Sequence, residues 1–230
     1  AWGLPYASPM IGAKMIMPGN KMGDGETLAA LINEENVTFS AGVPTVWLSL
    51  INYLKQENMR VDSLKRVIVG GSACPLSIME DFDTYGVETR VGWGMTEMSP
   101  LGTTNPSMDI RDDMSADEFA KLRLKAGRPI NCCDVKKTDD DNNELPWDGV
   151  AFGSLKVRGP WICSAYYKLE GSSAHGDDGW FETGDVATID PRGYIAITDR
   201  TKDVIKSGGE WISSIDVENV ATDHPKVAEA

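Results

Sequence analysis

Val67-Ile68-Val69 is a run of β-branched apolar residues that stops abruptly at Gly70-Gly71-Ser72-Ala73. Apolar residues at consecutive rather than alternate positions are the pattern of a parallel strand covered on both faces. Parallel neighbours cannot be joined by a tight turn, so helical crossovers must stand between them. The flanking sequence provides them. A helix is expected over Glu26 to Glu35, with Leu28, Leu31 and Ile32 on one face, followed by a strand at Val37-Thr38-Phe39. Pro44 suits the first turn of the next helix, whose apolar stripe is Val46, Leu50, Ile51 and Leu54, with Trp47 beside it as a core residue. Another helix is expected from Pro75, then a strand from Val87 to Val91. Upstream, Ala1 to Ala13 reads as the end of a helix and Lys14-Met15-Ile16-Met17 as a short strand. The fold class that follows is α/β, an open, mostly parallel sheet flanked by helices.

Ligands of such sheets bind beyond the carboxyl ends of the strands. One of those ends carries Gly70-Gly71; the next strand ends at Gly92-Trp93-Gly94-Met95-Thr96-Glu97. Two glycine-bearing strand ends are therefore expected to converge on one site, although each is equally a tight turn that binds nothing.

Beyond these, Ser115-Ala116-Asp117-Glu118 is a capping box for a polar helix. From Cys133 onward the texture changes to short alternating runs, Val135 to Thr138, Ser154 to Arg158, Asp185 to Ile189 and Tyr194 to Thr198, separated by turn sequences such as Asp148-Gly149 and Asp190-Pro191-Arg192-Gly193. An antiparallel, β-barrel-like subdomain is expected there. Asp139-Asp140-Asp141-Asn142-Asn143 lacks the spacing of a calcium loop and reads as a hairpin tip.

Composition excludes some functions. A formal charge of −13 argues against binding along nucleic acid or an anionic membrane. No apolar run approaches the roughly 18 residues of a spanning helix. Cys74, Cys132, Cys133 and Cys163 lack C-x-x-C spacing and are expected to be reduced thiols of a cytoplasmic protein, with His175 and His224 at the surface.

The densest chemistry lies in Asp199-Arg200-Thr201-Lys202-Asp203-Val204-Ile205-Lys206-Ser207-Gly208-Gly209-Glu210-Trp211-Ile212-Ser213, where charge, consecutive glycines and a buried-looking strand share fifteen residues. Alone it is as readily an exposed charged strand and a turn. Together with Gly92-Trp93-Gly94-Met95-Thr96-Glu97 and Trp180-Phe181-Glu182-Thr183-Gly184-Asp185, in that chain order, it resembles the AMP-forming acyl-CoA synthetases of the adenylate-forming superfamily. Gly208-Gly209-Glu210-Trp211-Ile212-Ser213 is most similar to the medium- and long-chain fatty acid branch.

The resemblance implies a site and a reaction. A carboxylic acid would be activated with ATP to an acyl-AMP and pyrophosphate, then passed to coenzyme A. Thr96 and Glu97 would act at the phosphates, Glu97 holding Mg²⁺. Gly71, Ser72 and Ala73 with Gly92, Trp93, Gly94 and Met95 would border the nucleotide and the acyl carbonyl, Trp93 lying against adenine where relatives more often carry tyrosine. Asp185 would take the ribose hydroxyls and Arg200 the ribose and phosphate; Lys202 would be the hinge, Lys206 would serve thioester formation, and Gly208-Gly209 would line the pantetheine channel. Trp2 is a candidate gate of the acyl tunnel. The family's upstream phosphate loop and late lysine have no counterpart here, so the chain reads as a fragment with negligible turnover alone. Residues 1–199 would belong to the large domain (1–130 the α/β region, 131–199 the barrel-like part) and 200–230 to the hinge and the start of a small α+β domain. The acid preferred and the oligomeric state stay open, a homodimer being one option. So do two other functions, an adenylating enzyme that serves a carrier protein and a non-catalytic nucleotide-binding module.

Overall fold

The computed structural model describes residues 3–105, 114–169, 175–176, 178–202, 205–207, 210–212, 214 and 217. Two compact units divide the chain, Ala1–Gly127 and Arg128–Ala230.

The first unit contains helices α1 (Leu4–Met10), α2 (Gly25–Glu34), α3 (Pro44–Gln56), α4 (Leu76–Thr84) and α5 (Ala116–Leu124). Its strands are β1 (Phe39–Gly42), β2 (Arg66–Val69), β3 (Glu88–Gly94) and β4 (Leu101–Thr104). They lie in the order β1-β2-β3-β4, the first three parallel and β4 antiparallel to β3. Local chemistry sets the helix starts. Asp24 accepts from Thr27 N at 3.1 Å to cap α2, Pro44 opens α3, and Ser115 with Glu118 forms the expected reciprocal capping box of α5.

The core lies on one face of this sheet. Trp47, Leu50, Ile51 and Leu54 of α3 and Ile78, Met79 and Phe82 of α4 close over Val67 and Val69. The rings of Trp47 and Phe82 meet edge to face at 5.7 Å, and the indole N–H donates to Gly42 O at 3.1 Å. Ile68, on the other side of the pleat, is only half-buried, so β2 is fully covered on one face rather than both. The register explains this: Ile68 stands between Ala41 of β1 and Arg90 of β3, and Arg66 and Glu88 share its face.

Other expectations also move. Lys14–Met17 forms no strand, and Met15 and Met17 are exposed, because the segment has no ladder partner among the described residues. The strand expected at Val37 starts at Phe39. Asn36 takes a left-handed φ of 51° and Val37 N bonds back to Ile32 O, which keeps these residues in the helix terminus. β3 continues past Val91 to Gly94 because the unforeseen strand β4 pairs with it.

Glu88 bridges two arginines, Arg66 Nε at 2.6 Å and Arg90 Nε at 2.8 Å. Burial pushes its carboxyl pKa up, but the hydrogen bonds from Arg90 and Arg66 outweigh that and hold it below the ordinary 4.5. A carboxylate depressed in the folded state contributes stability that is present above 4.5 and lost as pH falls through the folded value. The stability advantage of wild type over Glu88→Gln is therefore expected to be full at pH 7 and to shrink on acidification below that point. Urea midpoints of both proteins from pH 7 downward check this; a pH-independent difference would refute it.

The second unit contains β5 (Arg128–Pro129), β6 (Asp134–Thr138), β7 (Gly153–Arg158), β8 (Phe181–Ile189), β9 (Ile195–Arg200) and a hairpin of β10 (Ile205–Ser207) and β11 (Glu210–Ile212). β6-β7-β8-β9 form an antiparallel sheet, open among the described residues. Its turns are tied by aspartates. Asp139 accepts from the backbone N–H groups of Asp141 and Asn143 and from the Asn143 side chain, so the acidic tip is a hairpin cap. Asp190 accepts from Arg192 N and Tyr194 N in the next turn. His175 is half-buried rather than superficial, packed 5.0 Å from the Phe181 ring with Nε2 2.6 Å from Cys163 O, because it bridges to the start of β8. Ile205, in the stretch read as a buried-looking strand, is 43% exposed. No described helix is long and apolar enough to cross a membrane.

Candidate active site

The ends of β2 and β3 open onto a cavity of about 250 Å³. Gly70 and Gly71 reach it from β2, and Gly92, Trp93, Gly94, Met95 and Thr96 from β3 and the turn after it. Ala41, Ile68 and Leu101 supply an apolar floor, with Leu4 and Pro100 completing the wall. Gly92 leaves the floor bare: a Cβ would stand 3.1 Å from Leu101 Cδ1 and 3.5 Å from Ile68 Cγ2. The β3–β4 register shifts between Trp93 and Gly94, passing from Trp93↔Thr103 to Gly94↔Leu101. Beyond Gly94 the chain enters the short helical turn Thr96–Met98, which leaves Thr96 exposed and Glu97 half-buried. Glycine backbone, an indole and a hydroxyl thus line the cavity beside an apolar floor, with a carboxylate at the next residue of the chain. That suits a ligand with a flat ring and an apolar tail.

Ser72 and Ala73 are exposed and stand outside this wall. The floor residues Ala41, Ile68 and Leu101 escaped sequence reasoning. Only the Thr103-Thr104 pair after Leu101-Gly102 signals a strand there, and weakly.

In the second unit, Asp185 and Arg200 occupy one rung of the β8–β9 ladder. Arg200 Nε lies 2.9 Å from Asp185 Oδ1; the carboxylate is buried while the arginine is more than half exposed. Asp185 N donates to Thr183 Oγ1, which itself donates to Leu155 O, so the strand bearing Asp185 is tied to β7 by a side chain. Next to the pair, the buried Asp199 accepts from Arg200 N at 2.7 Å and Ser214 N at 2.6 Å. Burial acts to raise the Asp199 carboxyl pKa, but these hydrogen bonds prevail and hold it below the usual range. Lys202 is exposed just after β9, and Lys206 pairs through its backbone with Trp211 in the β10–β11 hairpin. Trp2, Gly208, Gly209 and His224 lie outside the described residues.

No group of three or more His, Cys, Asp or Glu side chains that could hold a metal occurs among the described residues. Mg²⁺ commonly takes only one or two carboxylates, for which Glu97 is the candidate, and completes its shell with phosphate and water oxygens.

Comparison with known proteins gives the chain's family. The model of the family described as AMP-binding enzyme matches residues 2–167. The 3-methylmercaptopropionyl-CoA ligase of Ruegeria lacuscaerulensis is 48% identical over 231 residues, covering 100% of this chain and 42% of that protein. A long-chain-fatty-acid–CoA ligase of Thermus thermophilus is 46% identical over 232 residues, with 100% and 43% covered. Among solved structures, o-succinylbenzoate CoA synthetase of Bacillus subtilis in complex with its acyl-adenylate intermediate superimposes with a TM-score of 0.79 at 29% identity, covering 98% of this chain and 43% of that one. The chain spans 42–43% of the length of these curated relatives. Since the family model covers well over half of the residues and the likeness continues through both units, the chain belongs to the AMP-binding enzyme family.

Proposed function

We propose that the protein containing this chain is an AMP-forming fatty acyl-CoA ligase of the cytoplasm, with ATP, a carboxylic acid and coenzyme A as substrates. The observation that carries this reading is the apolar floor of Ala41, Ile68 and Leu101 directly beneath the Gly92–Thr96 loop, in a chain 46% identical to a fatty acid ligase. An acyl tail would rest on that floor with its carboxylate at the glycine loop. The carboxylate oxygen attacks the α-phosphorus of ATP as the bond to pyrophosphate breaks; the thiol of coenzyme A, losing its proton, then attacks the acyl carbon and AMP leaves.

Both steps build charge on oxygen, so donors and cations held in place beforehand should carry most of the catalysis. Thr96 donates its hydroxyl to the α-phosphate and Trp93 covers the adenine. Glu97 would hold Mg²⁺, which supplies charge neutralisation at the phosphates. Asp185 accepts from the ribose hydroxyls and Arg200 pairs with ribose and phosphate oxygens, which requires its fork to share or release the contact with Asp185. Residues from Arg200 to Lys202 form the hinge, with Lys206 and Gly208-Gly209 beyond it serving the thiol step.

The test is AMP formation by the full-length protein across acids from propionate to palmitate, with and without coenzyme A, beside Lys206→Ala. Expected are coenzyme A-dependent AMP formation with medium or long chains, and a variant that still releases pyrophosphate but makes no thioester. If adenylation occurs while coenzyme A is ignored, transfer to a carrier protein replaces the ligase reading. AMP binding without any turnover would leave a nucleotide-binding module.

A further inference from the structure

Gly102 is buried in β4 at a bulge of that strand, where the pairing passes from Trp93↔Thr103 to Gly94↔Leu101 and leaves Gly102 as the extra residue. A Cβ at this position would collide with Met98 Cε, stand 3.3 Å from Met98 Sδ and lie 3.0 Å from Trp93 Cζ3. The Met98 thioether, fully buried, and the Trp93 indole therefore converge on the bare backbone of one residue. Cζ3 belongs to the benzo ring of the indole, a part that tyrosine lacks. The space left by Gly102 is matched to a tryptophan at residue 93.

We propose that Gly102 is the positioning residue of Trp93, its missing side chain being the seat that sets the indole plane against the cavity. A methyl group there meets a rigid ring on one side and a buried thioether on the other. The thioether end can rotate away, whereas the ring has to tilt. A tilted indole changes the aromatic wall of the cavity, so ligand affinity follows the geometry at residue 102 although that residue touches no ligand. The affinity part of this inference rests on the reading of Trp93 as the adenine-facing aromatic; the seating of the ring does not.

Two measurements on the full-length protein separate those parts. The first is the ¹⁹F spectrum of 5-fluorotryptophan-labelled protein, the Trp93 signal being assigned by its loss in Trp93→Tyr. Gly102→Ala should displace that signal and leave the Trp47 signal, assigned in the same way with Trp47→Phe, in place. The second is AMP affinity in a double-mutant cycle. Gly102→Ala is expected to weaken AMP binding about tenfold, the scale of overpacking a filled site, and to have little effect in the Trp93→Tyr background, where the benzo ring is gone. If Gly102→Ala fails to fold, Met98→Ala/Gly102→Ala frees the thioether's space and isolates the contact with the ring. An unmoved Trp93 signal overturns the proposal, as does an equal loss of affinity with tryptophan or tyrosine at residue 93. Absence of AMP binding in the wild type would instead reject the nucleotide reading, and the ¹⁹F displacement alone would then decide the seat.

Discussion

Glu97→Ala in the full-length protein is expected to lower acid-dependent pyrophosphate release by about 10²- to 10³-fold, the cost of removing one preorganised charge-stabilising element from an active site. The residue is half-buried in the turn after β3 and follows Thr96, which lines the cavity. A cation held by Glu97 would neutralise the charge that ATP carries on its phosphates and that shifts towards pyrophosphate as the bond breaks. The loss should therefore fall on turnover with ATP more than on affinity for AMP, which lacks the β- and γ-phosphates. Pyrophosphate release, AMP affinity and melting temperature measured side by side distinguish this from unfolding. Turnover within tenfold of wild type would remove Glu97 from the metal role.

The largest effect on stability is expected from Trp47→Ala, at about 3–5 kcal/mol for deletion of a buried tryptophan. Trp47 is 1% exposed, meets Phe82 edge to face and donates its indole N–H to Gly42 O. Truncation leaves a void between α3, α4 and the sheet, and takes from Gly42 O, next to Ala41 of the cavity floor, one of its two hydrogen bonds, the other coming from Gly70 N at 3.3 Å. A loss of this size is a large share of the net stability of a domain. Denaturant titration measures it; a shift below about 1 kcal/mol would mean that the surrounding core collapses into the space.

Much of this architecture is legible in the chain because its signals are local. The stripe of Leu50, Ile51 and Leu54, the Ser115–Glu118 capping box and the Asp139 hairpin tip each depend on residues a few positions apart, and the structure contains all three. Errors arose where a partner distant in sequence decides. Lys14–Met17 has strand-like composition but no neighbour to pair with, and Ile68 belongs to an apolar run but faces the cavity rather than the helices. The missed strand β4 shows the same limit. Leu101-Gly102-Thr103-Thr104 is too short for a periodic pattern, and only pairing with β3 makes it a strand.

The sequence by itself determined the α/β alternation, the change to antiparallel hairpins after Cys133 and the three motifs that mark the family, because hydrophobic period, turn chemistry and motif spacing are properties of contiguous residues. Only the tertiary structure decided that Asp185 and Arg200 share a rung, that Ala41, Ile68 and Leu101 form one floor, and that Gly102 lies beneath Trp93. Those contacts follow from strand register. Register reflects many weak cross-strand contacts summed over a whole sheet, and no single segment of the chain carries that sum.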